Sequence, residues 1–189
     1  MFERFDKGAR EVVTNAQEVS RALKHNYIGT EHVLIALFSQ KGSVACEVLS
    51  EYGVDEEDVE AAVLQIVGRG EELLSSTAPF TPRVKKSFEL ALRDTLSDGV
   101  NLITPEYLLL GLMREYNGVA ARIVRDLGDG VSYEDMKSAI KQMFKKFPTS
   151  VDLINAQIRR QVEVRDQANV ELRRLRSLLK KVEKSQSQE

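Results

Sequence analysis

The chain has 189 residues, 42% apolar, with 27 basic and 29 acidic side chains, one cysteine and no tryptophan. That length suits one domain with an appendage and can bury a core unaided by disulfides or metal. The single thiol, Cys46, excludes an internal disulfide and a multi-thiolate zinc centre, and points to a reducing, cytoplasmic setting.

The first predicted helix carries Val12, Ala16, Val19 and Leu23 at helical spacing, and Asp6 is placed to cap its start. Thr30 stands before the apolar run Val33–Phe38, the second helix. A third runs near 43–52 and stops at Gly53, and a fourth follows Asp55. Residues 69–79 read as a loop. The pattern then repeats. Thr81-Pro82 opens a fifth helix with an N-cap and a proline at the first helical position, and Thr104-Pro105 opens the sixth before Leu108–Met113. A seventh runs near 118–127 and stops at Gly128. The eighth starts at Ser132, where Ser132 and Asp135 have the spacing of a capping box.

A shift of 75 residues lays the chain on itself. Phe5 meets Phe80, Ala16 meets Ala91, and Asn26, Ile28 and Glu31 meet Asn101, Ile103 and Glu106. Leu34, Leu37, Val44, Ala45 and Gly53 complete ten identities over positions 5–53, without a gap. The expectation is all-α: two tandem four-helix repeats, about 2–68 and 79–147, in one pseudo-twofold domain with an inter-repeat groove near the first-helix starts. The apolar runs are too short to span a bilayer, and the first residues lack a signal-peptide layout.

Met1–Asp6 and the octapeptide His25-Asn-Tyr-Ile-Gly-Thr-Glu-His32, with Leu34 and Leu37, resemble the amino-terminal repeat domain of the Clp ATPases, ClpC type. Phe80–Arg83, Lys85-Lys86 and Gly118–Arg122 fit its second repeat. The resemblance implies a protein-docking domain that receives substrates and adaptors for an ATP-driven unfoldase. No Gly-x-x-x-x-Gly-Lys-Ser/Thr loop occurs in the sequence, so the expectation is a stand-alone accessory of Clp-dependent degradation or a fragment of a longer ATPase. Its expected partners are a Clp ATPase, adaptors or substrates. In Gram-positive members the glutamates matching Glu31 and Glu106 hold the guanidinium of phosphorylated arginine, and a threonine at the first-helix start faces the phosphate. Copy two keeps Thr81 and Glu106. Copy one keeps Glu31 but has Asp6, whose charge would repel a phosphate. The other reading makes Asp6 and Thr81 plain N-caps, and Glu31 and Glu106 first-turn dipole partners.

Other chemistry finds little support. His25 and His32 lack a third ligand and read as structural, fixing the turn before the second helix. Cys46 reads as an inert thiol, and the acidic run 55–58 as helix-start compensation, without the alternating spacing of a calcium loop. No catalytic, metal or cofactor site is expected, and no enzyme. Residues 1–147 hold 18 basic and 23 acidic side chains, an acidic body that argues against nucleic acid. Residues 148–189 hold 9 and 6 and read as a long charged helix. It packs back on the body, or its seam between 151 and 184 pairs with itself or with an unrelated partner, which would make the protein a scaffold.

Overall fold

The structure, a computed structural model, describes residues 2–71 and 78–146. The chain divides into two units, Met1–Met143 and Phe144–Glu189. The expected tail helix, its self-pairing and residues 72–77 of the expected loop lie outside the described residues.

A 3-10 turn at Phe2–Arg4 leads into eight α-helices: α1 (Lys7–Ala22), α2 (Thr30–Leu37), α3 (Val44–Glu51), α4 (Glu56–Ile66), α5 (Pro82–Ser97), α6 (Pro105–Glu115), α7 (Val119–Leu127) and α8 (Tyr133–Lys146). The described residues contain no extended strand, only two isolated bridges. The fold is all-α, as the repeat predicts.

The caps explain most helix starts. Asp6 accepts from the Ala9 N–H, Thr81 from Val84 and Ser43 from Cys46. The Ser132 hydroxyl accepts from the Asp135 N–H, and the Asp135 carboxylate accepts from the Ser132 N–H, closing a capping box. Acidic residues fill the first turn of α4, where they oppose the helix dipole. Each repeat is built around one buried helix. Every residue of α2 is buried, as is α6 from Pro105 to Met113. Leu34, Leu37, Leu109 and Leu112, all repeat identities, are excluded from water, and each contributes about 1.5–3 kcal/mol of transfer free energy.

The repeats are joined reciprocally. Phe5 pairs in parallel with Ile103, and Ile28 pairs with Phe80. The Asp6 N–H donates to the Ile103 carbonyl at 2.9 Å and the Thr81 N–H donates to the Ile28 carbonyl at 2.9 Å. The return bonds run from the Ile103 N–H to Arg4 at 2.7 Å and from the Ile28 N–H to Pro79 at 2.8 Å. Each first helix therefore starts against the second helix of the other repeat. Phe5 and Phe80 both meet Phe88, at 5.3 and 5.8 Å between ring centroids, beneath Phe2.

Four expectations are corrected. Val19 is only half-buried; the core position on α1 is Ser20, whose hydroxyl donates to the Tyr27 carbonyl at 2.7 Å. Gly29, not Thr30, caps α2, so Thr30 is the first helical residue. Thr104 stands at the N-cap of α6, yet its hydroxyl is buried and bonds nothing. Gly128 ends α7 with φ −92°; the left-handed residues are Asp129 and Gly130, because copy two carries two more residues than copy one after the shared glycine (Val59 matches Met136), which moves the reversal downstream. Gly53 does take the left-handed conformation, with φ +69°.

Candidate ligand-docking site

The reciprocal bridges decide which candidate residues meet. Helices α5 and α6 run antiparallel, since Arg83 at the start of α5 holds Glu115 at the end of α6 while Tyr107 reaches Asp98 at the other end. Thr81 and Glu106 thus lie at opposite ends of the hairpin, separated by the length of α6, about 14 Å. The structure does not bring Thr81 together with Glu106 within one copy. Thr81 hydrogen-bonds Ile28, three residues before Glu31, and Asp6 hydrogen-bonds Ile103, three residues before Glu106. The exchange of starting segments between repeats causes the crossing.

Around Thr81 three helix starts converge: α5, α2 and α7. The Glu31 carboxylate is buried and folds back over Gly29, so closely that a Cβ there would lie 2.1 Å from its Oε1. Burial raises the Glu31 carboxyl above its ordinary range, against a smaller opposing effect of its own backbone N–H. The Thr30 hydroxyl donates to Glu31 Oε2 at 3.4 Å and accepts from the Ala120 N–H at 3.2 Å. Thr30 so caps α7 from the other repeat. Helix α7 has Gly118 where α3 has Ser43, and a Cβ at Gly118 would stand 2.9 Å from Thr30 Oγ1. Arg83, Lys85 and Lys86 are exposed along the α5 start.

The pseudo-equivalent spot differs in charge. Asp6 is half-exposed there, and burial pushes its carboxyl up more than the Ala9 N–H pulls it down. Gly8 and Gln40 occupy the positions matching Arg83 and Glu115. Glu106 is buried, and its charge helps raise the Cys46 thiol on α3, after burial itself. A groove of about 730 Å³ lies here, at the α1 start, lined by Phe5, Asp6, Lys7, Arg10 and Leu102 among others.

His32 is the residue whose role the sequence left most general. The Gly29 N–H donates to His32 Nδ1 at 2.8 Å, which puts the ring proton on Nε2. Nε2 then donates to His25 Nδ1 at 2.8 Å, and His25 Nε2 donates to the Gly68 carbonyl at 3.2 Å. Tyr27 stacks on His25. Burial, then the neighbouring His25, pushes His32 down to about 4. The pair fixes the turn before α2 and ties it to the segment after α4. Cys46 is half-buried and donates to the Leu37 and Gln40 carbonyls at 3.3 Å each. Among the described residues no three His, Cys, Asp or Glu gather as a metal set, and no helix is long and apolar enough to cross a membrane.

The model of the Clp repeat (R) N-terminal domain matches residues 4–127 and, again, 96–188. Chloroplastic chaperone protein ClpC1 of Arabidopsis thaliana is 44% identical over 128 residues, 68% of this chain and 14% of that protein. The chain thus spans about one seventh of the length of such relatives. Among solved structures, the N-terminal domain of the chaperone ClpD from Arabidopsis thaliana superposes with a TM-score of 0.62 at 22% identity, over 77% of this chain and 97% of that one. A ClpV N-domain in complex with a VipB peptide has a TM-score of 0.61 at 15% identity, over 72% and 84%. At such identities these two likenesses speak for the fold.

Proposed function

The chain belongs to the Clp repeat N-terminal domain family, and from that premise we propose that it is a non-catalytic docking module for Clp-dependent protein degradation. It would receive substrates, or the adaptors that deliver them. The observation that carries this reading is the backbone bond from Thr81 to Ile28, which brings the α5 start to the turn leading into Glu31 across the repeats. A helix start attracts an anion, and a buried carboxylate that holds no lysine or arginine among the described residues suits a guanidinium. Burial raises the Glu31 carboxyl, so its ionised form gains from a cation that the fold leaves to a ligand. The two together fit a phosphorylated arginine side chain. That a ClpV N-domain of similar fold holds a VipB peptide supports peptide docking as a use of such a domain.

Calorimetric titration with a peptide carrying phosphoarginine should report one site. Glu31→Gln or Thr81→Val should remove it, while Glu106→Gln should leave it. Asp6→Thr should add a second, weaker site beside Glu106, because the repelling carboxylate is gone and a capping hydroxyl remains. Two equal sites in the native chain, or loss of binding in Glu106→Gln but not in Glu31→Gln, would overturn this assignment. Affinity capture from the native cell should recover a Clp ATPase subunit, an adaptor or a degradation substrate; recovery of none counts against the degradation role.

A further inference from the structure

Helix α6 ends on a strained aromatic residue. The Asn117 N–H donates to the Glu115 carbonyl at 2.6 Å, which makes Tyr116 the centre of a γ-turn, with φ +57° and ψ −47°. This form of the turn, with positive φ, is rare and strained for a residue with a Cβ. It presents a large side chain to water: Tyr116 is 61% exposed. The Arg125 guanidinium lies 4.0 Å from the ring centroid and donates to the Tyr116 carbonyl at 2.9 Å. Among the described residues Arg125 forms no ion pair, whereas its neighbour Arg122 is paired with Asp126. The same corner of the first repeat has the opposite chemistry. The 75-residue shift lays Tyr116 on Lys41, Arg122 on Glu47 and Arg125 on Ser50. A groove of about 540 Å³ opens there, over Phe38 and Cys46, rimmed by Glu47, Glu51, Asp55 and Glu56 against the single cation Lys41. None of these four carboxylates forms an ion pair among the described residues. Four acids and one amine leave a negative potential over an opening large enough for a tyrosine side chain.

We propose that these two corners dock on each other between chains: Tyr116 and Arg125 of one copy seat in the Phe38–Glu56 groove of a second copy. The occupant is a second copy because knob and groove occupy matching places in the two repeats of one chain. Every molecule therefore presents the complement of its neighbour's corner. Tyrosine and arginine are the residues that most often anchor protein interfaces. A side chain already fixed by its turn and by a stacked guanidinium has less freedom to lose on binding. The ring covers Phe38, and Arg125 gains the carboxylates of Glu47 and Glu51 that its own repeat does not supply. Where both corners of each copy engage at once, the pair closes as a twofold dimer; where only one does, copies add head to tail.

The test is sedimentation velocity of the whole chain from about 10 μM to about 1 mM, the range in which a small interface of this kind shows itself. The native chain should associate as its concentration rises, and raising the salt from about 50 to about 500 mM should weaken that association at least about tenfold. Tyr116→Gly should weaken it as much, yet keep or raise the melting midpoint, because glycine accepts the positive φ that strains tyrosine. Arg125→Glu should be monomeric, and so should a chain carrying both Glu47→Lys and Glu51→Lys, since each sets like charges against one another. An equimolar mixture of these two chains should associate again, because every corner then meets its opposite charge. A native chain that stays monomeric throughout would overturn the proposal. So would a mixture that stays monomeric, and so would association that none of these substitutions weakens, which would place the self-contact on another surface.

Discussion

The imidazole of His32 is wholly buried and neutral, and this sets how the domain responds to acid. An unfolded chain protonates histidine near pH 6.5, whereas the folded chain resists until about 4. Between those values the unfolded state binds more protons, so stability falls as the pH drops, by about 2 kcal/mol between pH 6.5 and 5. Glu31, 3.8 Å from His32 Nδ1, works in the opposite sense: its raised carboxyl takes a proton more readily folded than unfolded, which offsets part of the loss at the acid end. Urea midpoints measured at pH 7 and pH 5 check this, and equal midpoints would show that the His25–His32 chain imposes no titration cost. A second residue-scale effect is the borrowed cap of α7. Thr30→Val removes the acceptor of the Ala120 N–H and should cost about 1 kcal/mol, comparable with Ser43→Ala at α3. Denaturant unfolding of both variants compares them. Nothing in the sequence announced that cap: Thr30 and Gly118 are 88 positions apart, and a local capping rule looks three residues away.

At the scale of the helix, the local signals were largely legible, because a cap, a proline and an apolar period act over one or two turns. Thr81-Pro82 and Ser132 with Asp135 start helices where their chemistry requires. What local signals missed was closeness between helices. Gly111 has Ala36 as its counterpart in the first repeat, so it reads as an idle change within an apolar run. Yet a Cβ at Gly111 would lie 2.2 Å from the Ser87 carbonyl oxygen and 2.9 Å from Ala91 Cβ. Helix α6 can lie this near α5 only without a side chain there. Gly111→Ala gains about 1 kcal/mol in helix propensity but must push two helix backbones apart, at about 1–3 kcal/mol. Thermal unfolding of this variant should show a net loss of stability; an unchanged or higher midpoint would mean that α5 and α6 yield freely at this contact.

For the whole molecule, the 75-residue repeat revealed two equivalent copies but not which parts of them touch. Phe5 and Phe80, Ile28 and Ile103 were recognised as identities; that they pair with the opposite copy was not, because a self-alignment is the same whether segments are kept or exchanged. This is why Thr81 was expected beside Glu106, whereas the exchange sets the α5 start against the turn before Glu31. The exchange also links folding to both copies. In a separated first repeat, Phe5 and Asp6 lose Ile103, Ile28 loses Phe80 and Pro79, and α2 loses its contacts with α5, α6 and α7. Leu34, Leu37 and Val33, fully buried in the domain, would then be left without much of their cover. At about 25 cal/mol per Å² of apolar surface, that exposure exceeds what a chain of about 70 residues can spare, since its whole stability is only a few kcal/mol. Peptides 1–77 and 78–147 should each lack a cooperative thermal transition by circular dichroism. Mixed at equal concentration they should recover helicity and one concentration-dependent transition, because the bridges now form between chains. A first peptide that melts cooperatively by itself would show that the reciprocal pairing decorates the fold without being required for it.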